Sequence, residues 1–165
     1  MAEKSIIIRW MPNIAERVPL RPDQPEHPYH ALFCQIRAHI HAQYAQHGRA
    51  PDETSGRVTM SLYARAREVG ITRADHVVFS QPNEEKGVKQ NEYIFVVQGK
   101  MDDPGMVRAM LPLQQAANTP VAESLERVRQ IEQRQQQEAL AQQQTQQKDS
   151  PMQDDPSQGG PKLVR

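Results

Sequence analysis

Six histidines and one cysteine are the side chains of this chain best suited to metal binding or nucleophilic chemistry. His39 and His41 are two residues apart, which on a helix puts them about 200 degrees apart round the axis, too far to share an ion. His27 and His30 flank an expected helix start, with no second pair at ligand spacing nearby. Neither an HExxH pattern nor a Cys/His cluster is present, so the residues predict no metal. His76 reads as a surface or half-buried residue at a strand edge. Cys34 has two readings: a nucleophile near a histidine, or a small, partly buried side chain. Nothing in the sequence identifies an activating environment, so packing is the reading taken.

Paired carboxylates occur at Glu84–Glu85, Asp102–Asp103 and Asp154–Asp155. All fall in turns or towards the C-terminus, where charge is easily solvated. A glycosidase-type pair needs two carboxyl groups held rigidly several ångströms apart, which a solvated turn does not provide. Arg65, Arg67 and Arg73 could form a small basic patch, but Glu68 and Asp75 lie among them, so a mixed surface is expected. No P-loop, GxSxG, GxGxxG or CxxC is present. The residues therefore argue against an enzyme and imply no cofactor.

The elements that would position these side chains are legible. Residues 74–99 hold two runs rich in β-branched and aromatic residues, Ala74 to Ser80 and Tyr93 to Gly99. Between them, Gln81 to Asn91 carries Pro82, Asn83, Gly87 and four charged side chains. That pattern predicts an antiparallel ribbon with a wide, solvated connection. A lone ribbon is marginal in water, so the flanking segments must cover one face.

Two helices precede it. Tyr29, Leu32, Phe33, Ile36, Ile40 and Tyr44 recur at helical spacing, and Gly48 with Pro51 marks the end. Asp52 to Ser55 supplies N-caps for a second helix whose buried side is Val58, Leu62, Ala66 and Val69, with Tyr63 beside them. Gly70 stops that helix, with Ile71 as its hydrophobic contact. After the ribbon, Lys100 to Gly105 signals a turn. Met106 to Leu113 predicts a third strand paired with Tyr93–Gln98, with Val107, Ala109, Leu111 and Leu113 on one side and Pro112 marking an edge. Thr119 and Pro120 read as N-cap and first residue of a further helix, with Val121, Leu125, Val128 and Ile131 as a short stripe.

The ends differ in character. Ser5 to Met11 could form a strand with Ile6, Ile8 and Trp10 on one face, and Pro12, Pro19, Pro22 and Pro25 then predict a mostly extended arm. Ten glutamines fall between Gln130 and Gln147, which favours helix by propensity without an apolar face to bury. That helix is expected to fray, with disorder from about Lys148 onward. The expected organisation is an arm over 1–26, an α+β domain over 27–129 and a glutamine-rich extension over 130–165. The fold class is α+β: a small antiparallel sheet of about three strands packed with two to three helices.

Composition narrows the function classes. Lys plus Arg and Asp plus Glu both number 20, with no basic block, so no nucleic-acid partner is implied. A single cysteine excludes an internal disulfide. No apolar run approaches the roughly 20 residues of a membrane span, and Arg9 interrupts the short run Ile6-Ile7-Ile8, so no signal peptide is read.

Several blocks, in order, resemble one family. They are His27-Pro28-Tyr29-His30-Ala31-Leu32-Phe33, Gly70-Ile71-Thr72-Arg73-Ala74-Asp75-His76-Val77-Val78, Ile94-Phe95-Val96-Val97-Gln98-Gly99, Asp103-Pro104, and Ala116-Ala117-Asn118-Thr119-Pro120 with Ser124. Together with the glutamine-rich ending they resemble the C-terminal conserved domain of Xanthomonas-type type IV secretion effectors, the XVIPCD, over residues 26–124. Ala74 stands where the family usually has a larger aliphatic residue, and Val96 where alanine is common. The resemblance implies a non-catalytic secretion signal read by the helical cytoplasmic domain of the type IV coupling protein. It implies a protein made in the cytoplasm and passed into a rival bacterium; a monomer without direct membrane insertion is expected. His27, Pro28, Arg73, Asp75, His76, Gln98, Asp103 and Asn118 are its candidate partner-binding residues. Family members carry an N-terminal toxic domain, such as a hydrolase; here about 25 residues precede the match. A domain-only protein and the end of a longer one are both open. A cytosolic adaptor or immunity-like protein and a small stand-alone toxin are the other readings.

Overall fold

The computed structural model describes residues 20–149, and in them the chain enters through prolines spaced three apart. The Gln24, His27 and His30 amides donate to the Arg21, Gln24 and His27 carbonyls, each at 3.0 Å. Pro22, Pro25 and Pro28 thus each occupy the second position of a turn, where a fixed φ near −65° is already suitable. Residues 21–26 are therefore a run of turns, not the extended arm expected there. Proline spacing of three makes successive turns, whereas irregular spacing only breaks other structure. The strand expected at Ser5–Met11 lies outside the described residues.

Helix α1 (His30–Gln46) buries Leu32, Phe33, Ile36 and Ile40, the expected face. Its end is closed by the Arg49 amide on the Tyr44 carbonyl (2.9 Å) and the Gly48 amide on Ala45 (3.0 Å). That crossed pair satisfies carbonyls the helix leaves open. Helix α2 (Glu53–Val69) starts with a capping box: the Asp52 carboxylate accepts from the Ser55 amide at 2.9 Å, and Ser55 Oγ accepts from the Asp52 amide at 2.8 Å. It stops at Gly70, whose φ of +90° favours a residue without a Cβ. The buried Ile71 then sends its amide back to Ala66 at 2.9 Å.

α2 is the central helix and contacts α1, the sheet and the short helix that follows the sheet. Val58, Leu62, Tyr63 and Ala66 are buried as expected. Val69 is exposed, contrary to expectation, because the chain reverses at the next residue and Ile71 takes the inward position instead. Full enclosure also draws in polar side chains, which bond within the fold. Thr59 Oγ1 donates to the Ser55 carbonyl at 2.7 Å, and Ser61 Oγ lies 3.2 Å from Ser124 Oγ. The Arg67 guanidinium lies over the Tyr29 ring, 3.3 Å from its centre.

The sheet has order β1-β2-β3, with β1 His76–Phe79, β2 Tyr93–Gln98 and β3 Val107–Pro112, all antiparallel. The register sets Val77, Val96 and Ala109 in one row and Phe79, Ile94 and Leu111 in another. Alternation turns these rows towards the helices, and all except Phe79 are buried. The ribbon, its wide loop and the third, edge strand are as the sequence predicts. Leu113 is not in the strand; it begins a six-residue helix α3 (Leu113–Asn118) that the sequence did not announce. Thr119 does not cap the next helix with its side chain. Its Oγ1 donates backward to the Gln115 carbonyl at 2.7 Å, closing α3.

Helix α4 (Val121–Asp149) follows, with the Pro120 carbonyl accepting from the Ser124 amide at 3.2 Å. The chain divides into two units, Met1–Leu125 and Glu126–Arg165. In the second, the helix carries the glutamine-rich stretch as far as Asp149, with its glutamines mostly exposed and Leu140 exposed at 58%. Disorder was expected from about Lys148, but the helix includes Lys148 and Asp149, and residues 150–165 lie outside the described residues.

Candidate recognition surface

The candidate residues separate into those that hold the fold and those that face solvent. Asp75 and Gln98 belong to the first group. Asp75 is the residue before β1, and its amide donates to Val97 at 2.9 Å. One carboxylate oxygen accepts from the Gly99 amide at 2.6 Å and the other from Arg73 Nε at 2.7 Å. Gly99 has φ of +106°, and a Cβ there would lie 3.5 Å from the Met106 backbone. A residue without a Cβ therefore lets β2 turn out towards Lys100 beside this carboxylate.

At the last position of β2, Gln98 Oε1 accepts from the Thr72 amide at 2.8 Å and the Arg73 amide at 3.2 Å, with Thr72 Oγ1 at 3.4 Å. Gln35 Oε1 on α1 accepts from the Ala74 amide at 2.9 Å. Two side chains, Gln98 and Gln35, thus serve the backbone of the link from α2 to β1, which would otherwise lack ladder partners, and the Asp75 carboxylate ties its end to Gly99. Gln35 and Thr72 escaped the sequence reading, because their roles depend on segments far along the chain.

The Arg73 guanidinium and the Gly99 amide hold the Asp75 carboxyl below its ordinary value of 3.8, because both bond its charged form. A depressed folded value means that this stabilisation is complete above the unfolded value and is lost as pH falls through the folded one. Urea midpoints of the parent and Asp75→Asn should therefore differ by a constant amount between about pH 5 and pH 7, and converge below about pH 4. A gap that persists undiminished at about pH 2 would contradict this assignment.

His27 is buried, not a surface contact. Its Nδ1 accepts from the Tyr29 amide at 3.0 Å, and its ring meets Tyr63 edge-on at 6.5 Å. A histidine just before a helix can serve the orphan amides of the first turn, and here it does. Pro28, Arg73, His76, Asp103 and Asn118 are exposed. Asp103 Oδ1 accepts from the Gly105 amide at 2.9 Å, shaping the β2–β3 turn. Arg73, Asp75, His76 and Gln98 come together at one end of the sheet, and Asp103 stands on the adjoining turn. Pro28 lies in the entry turns and Asn118 at the end of α3. The surface here is mixed, as expected, and no basic patch forms: Arg65 pairs with Glu68, Arg67 is buried and Arg73 pairs with Asp75.

The sheet face away from the helices carries Val78, Phe95 and Met110 in one row, with Arg108 over the Phe95 ring at 5.9 Å. A shallow groove of about 300 Å³ runs over it, reaching Met101 and Met106. A second groove of about 490 Å³ lies beside β1, floored by Ile40, Val58, Val77 and Leu113 and rimmed by amide side chains such as Gln81 and Gln90. Among the described residues no group of three or more His, Cys, Asp or Glu side chains could hold a metal ion. No helix among them is long and apolar enough to cross a membrane.

A family model described as X-Tfes, XVIPCD matches residues 23–130. The chain belongs to the XVIPCD family. The match runs from the entry turns into α4, so it takes in every element of the α+β fold. It also contains all eight candidate positions. Membership makes this an effector domain of type IV secretion. No curated protein matches the chain.

Proposed function

We propose that this XVIPCD is a non-catalytic secretion signal, bound by the helical cytoplasmic domain of the coupling protein and passed with its cargo into rival bacteria. The observation that carries the reading is the family match over 23–130. The exposed candidates Pro28, Arg73, His76, Asp103 and Asn118 contact the partner, while His27, Asp75 and Gln98 keep that surface in shape. Residues 27–129 are the recognition domain, with 1–26 as its lead-in. The glutamine-rich 130–165 add polar contacts, since exposed amides offer donors and acceptors without a strong charge. The chain acts as a monomer, starts in the producer's cytoplasm, and binds no nucleic acid.

The reading is tested by fusing a reporter upstream of the chain in a bacterium with an active type IV system. Contact-dependent transfer into recipients is expected, and should cease when the coupling protein is deleted. Retention in the producer would instead identify a cytosolic adaptor. Growth arrest on expression in a naive bacterium, in cytoplasm or periplasm, would identify a toxin.

A further inference from the structure

One cluster of nucleophilic and titratable side chains, His30, Cys34 and Arg37 on successive turns of α1, has no part in the recognition reading. His30 Nε2 lies 3.2 Å from Cys34 Sγ. The other ring nitrogen, Nδ1, lies 2.9 Å from the Pro22 carbonyl oxygen and 3.9 Å from the sulfur. A carbonyl only accepts, so the Pro22 contact places a proton on Nδ1. In the neutral ring Nε2 then carries the lone pair and accepts from the thiol. Transfer of the thiol proton to Nε2 turns that contact into imidazolium donating to thiolate, with Nδ1 still donating to Pro22. The heavy atoms need not move for either state.

Arg37 adds a fixed positive charge. Its Nη2 lies 3.5 Å from the sulfur, and its guanidinium rests over the Phe33 ring, 5.4 Å from the centre. A nucleophile in reach of a base, with the base oriented by a third group, is the arrangement that activates thiols. Partial exposure leaves the sulfur open to a reagent. Cys34 and His30 are both partly exposed.

We propose that Cys34 is a base-assisted reactive thiol, a modification site that takes up small disulfides as mixed disulfides. The Cys34 proton passes to His30 Nε2, and the sulfur attacks one sulfur of the incoming disulfide. A protein–reagent S–S bond forms as the reagent's own S–S bond breaks. The leaving thiolate takes that bond's electron pair and can collect the proton from His30. The small disulfide is the only oxidant, and Cys34 is oxidised as one thiol equivalent is released. The adduct lies against His30, whose Pro22 contact ties the entry turns to α1.

The full chain has one cysteine, so its reaction with dithiobis(nitrobenzoate) reports this site alone. The folded protein should react about tenfold faster than the same chain unfolded in urea at the same pH. His30→Gln should bring the rate to within about twofold of the unfolded chain, and Arg37→Gln should lower it about threefold. His30→Gln should also change the shape of the rate–pH profile, which a purely structural role would leave alone. Thermal melts establish that each variant folds. If His30→Gln does not fold, the folded-to-unfolded rate ratio of the parent and the Arg37→Gln rate decide. A folded parent that reacts no faster than the unfolded chain would overturn the proposal. So would a folded His30→Gln variant as reactive as the parent, or an Arg37→Gln variant with an unchanged rate.

Discussion

Leu62→Ala should cost the recognition domain about 3 kcal/mol, more than any other single change considered for this fold. Leu62 has no exposed surface and lies midway along α2, the helix that contacts α1, β2, β3 and α3. Truncation removes buried methyl groups and leaves a cavity that packed neighbours on several elements cannot all close. Domains of this size are stable by only about 5–15 kcal/mol, so the loss is a large share of the total. The thermal midpoint should fall by roughly 10–20 °C, read by the helical circular dichroism signal. Leu62→Met, which nearly conserves volume, should cost less than about 1.5 kcal/mol. A Leu62→Ala midpoint within about 3 °C of the parent would mean that α2 is not the centre of the core.

Gln98→Ala should cost about 1–2 kcal/mol, a smaller loss that bears more directly on function. It strips an acceptor from the Thr72 and Arg73 amides and from the Thr72 hydroxyl. These bonds lie near the surface, so water replaces part of what is lost, which keeps the cost near the low end for each donor. Gln98→Met preserves the length of the side chain and should be nearly as destabilising, because the acceptor rather than the bulk is missing. The thermal midpoint should fall by roughly 5–10 °C in both. If instead both variants melt like the parent but fail to bind the partner, Gln98 is a contact residue and its bonds to the 72–73 backbone matter little.

The parts legible in the sequence were those carried by local pattern. The apolar spacing of α1, the Asp52 cap and the stop at Gly70 each act within a few residues. The β1–β2 ribbon is similar, since two β-rich runs around a Gly/Asn/Pro loop specify a local pairing. α3 was not legible because six residues are too few for a period to show, and its N-cap is Pro112, which makes no side-chain cap. Thr119 next to Pro120 reads as a helix start, but its hydroxyl donates back to the Gln115 carbonyl and closes the end of α3 instead. The turns at Pro22, Pro25 and Pro28 were written in the spacing of the prolines, which was read only as interruption.

The candidate residues illustrate the same limit. Their identity came from the resemblance, but a motif position says nothing about whether its side chain faces inward or outward. His27 faces inward against Tyr63, and Asp75 and Gln98 hold backbone amides from distant segments. Only tertiary placement separates these from exposed Arg73, His76 and Asn118. The His30–Cys34 pair was not singled out in the sequence, and what orients the imidazole is the Pro22 carbonyl, which reaches it only through the entry turns.

Binding of the full chain to the isolated helical cytoplasmic domain of the coupling protein, measured by titration calorimetry, tests the central claim most directly. Saturable one-to-one binding is expected, weakened by removal of residues 130–165 and by His76→Ala or Asn118→Ala variants that melt like the parent. Absence of binding by the folded full chain would contradict recruitment through the coupling protein.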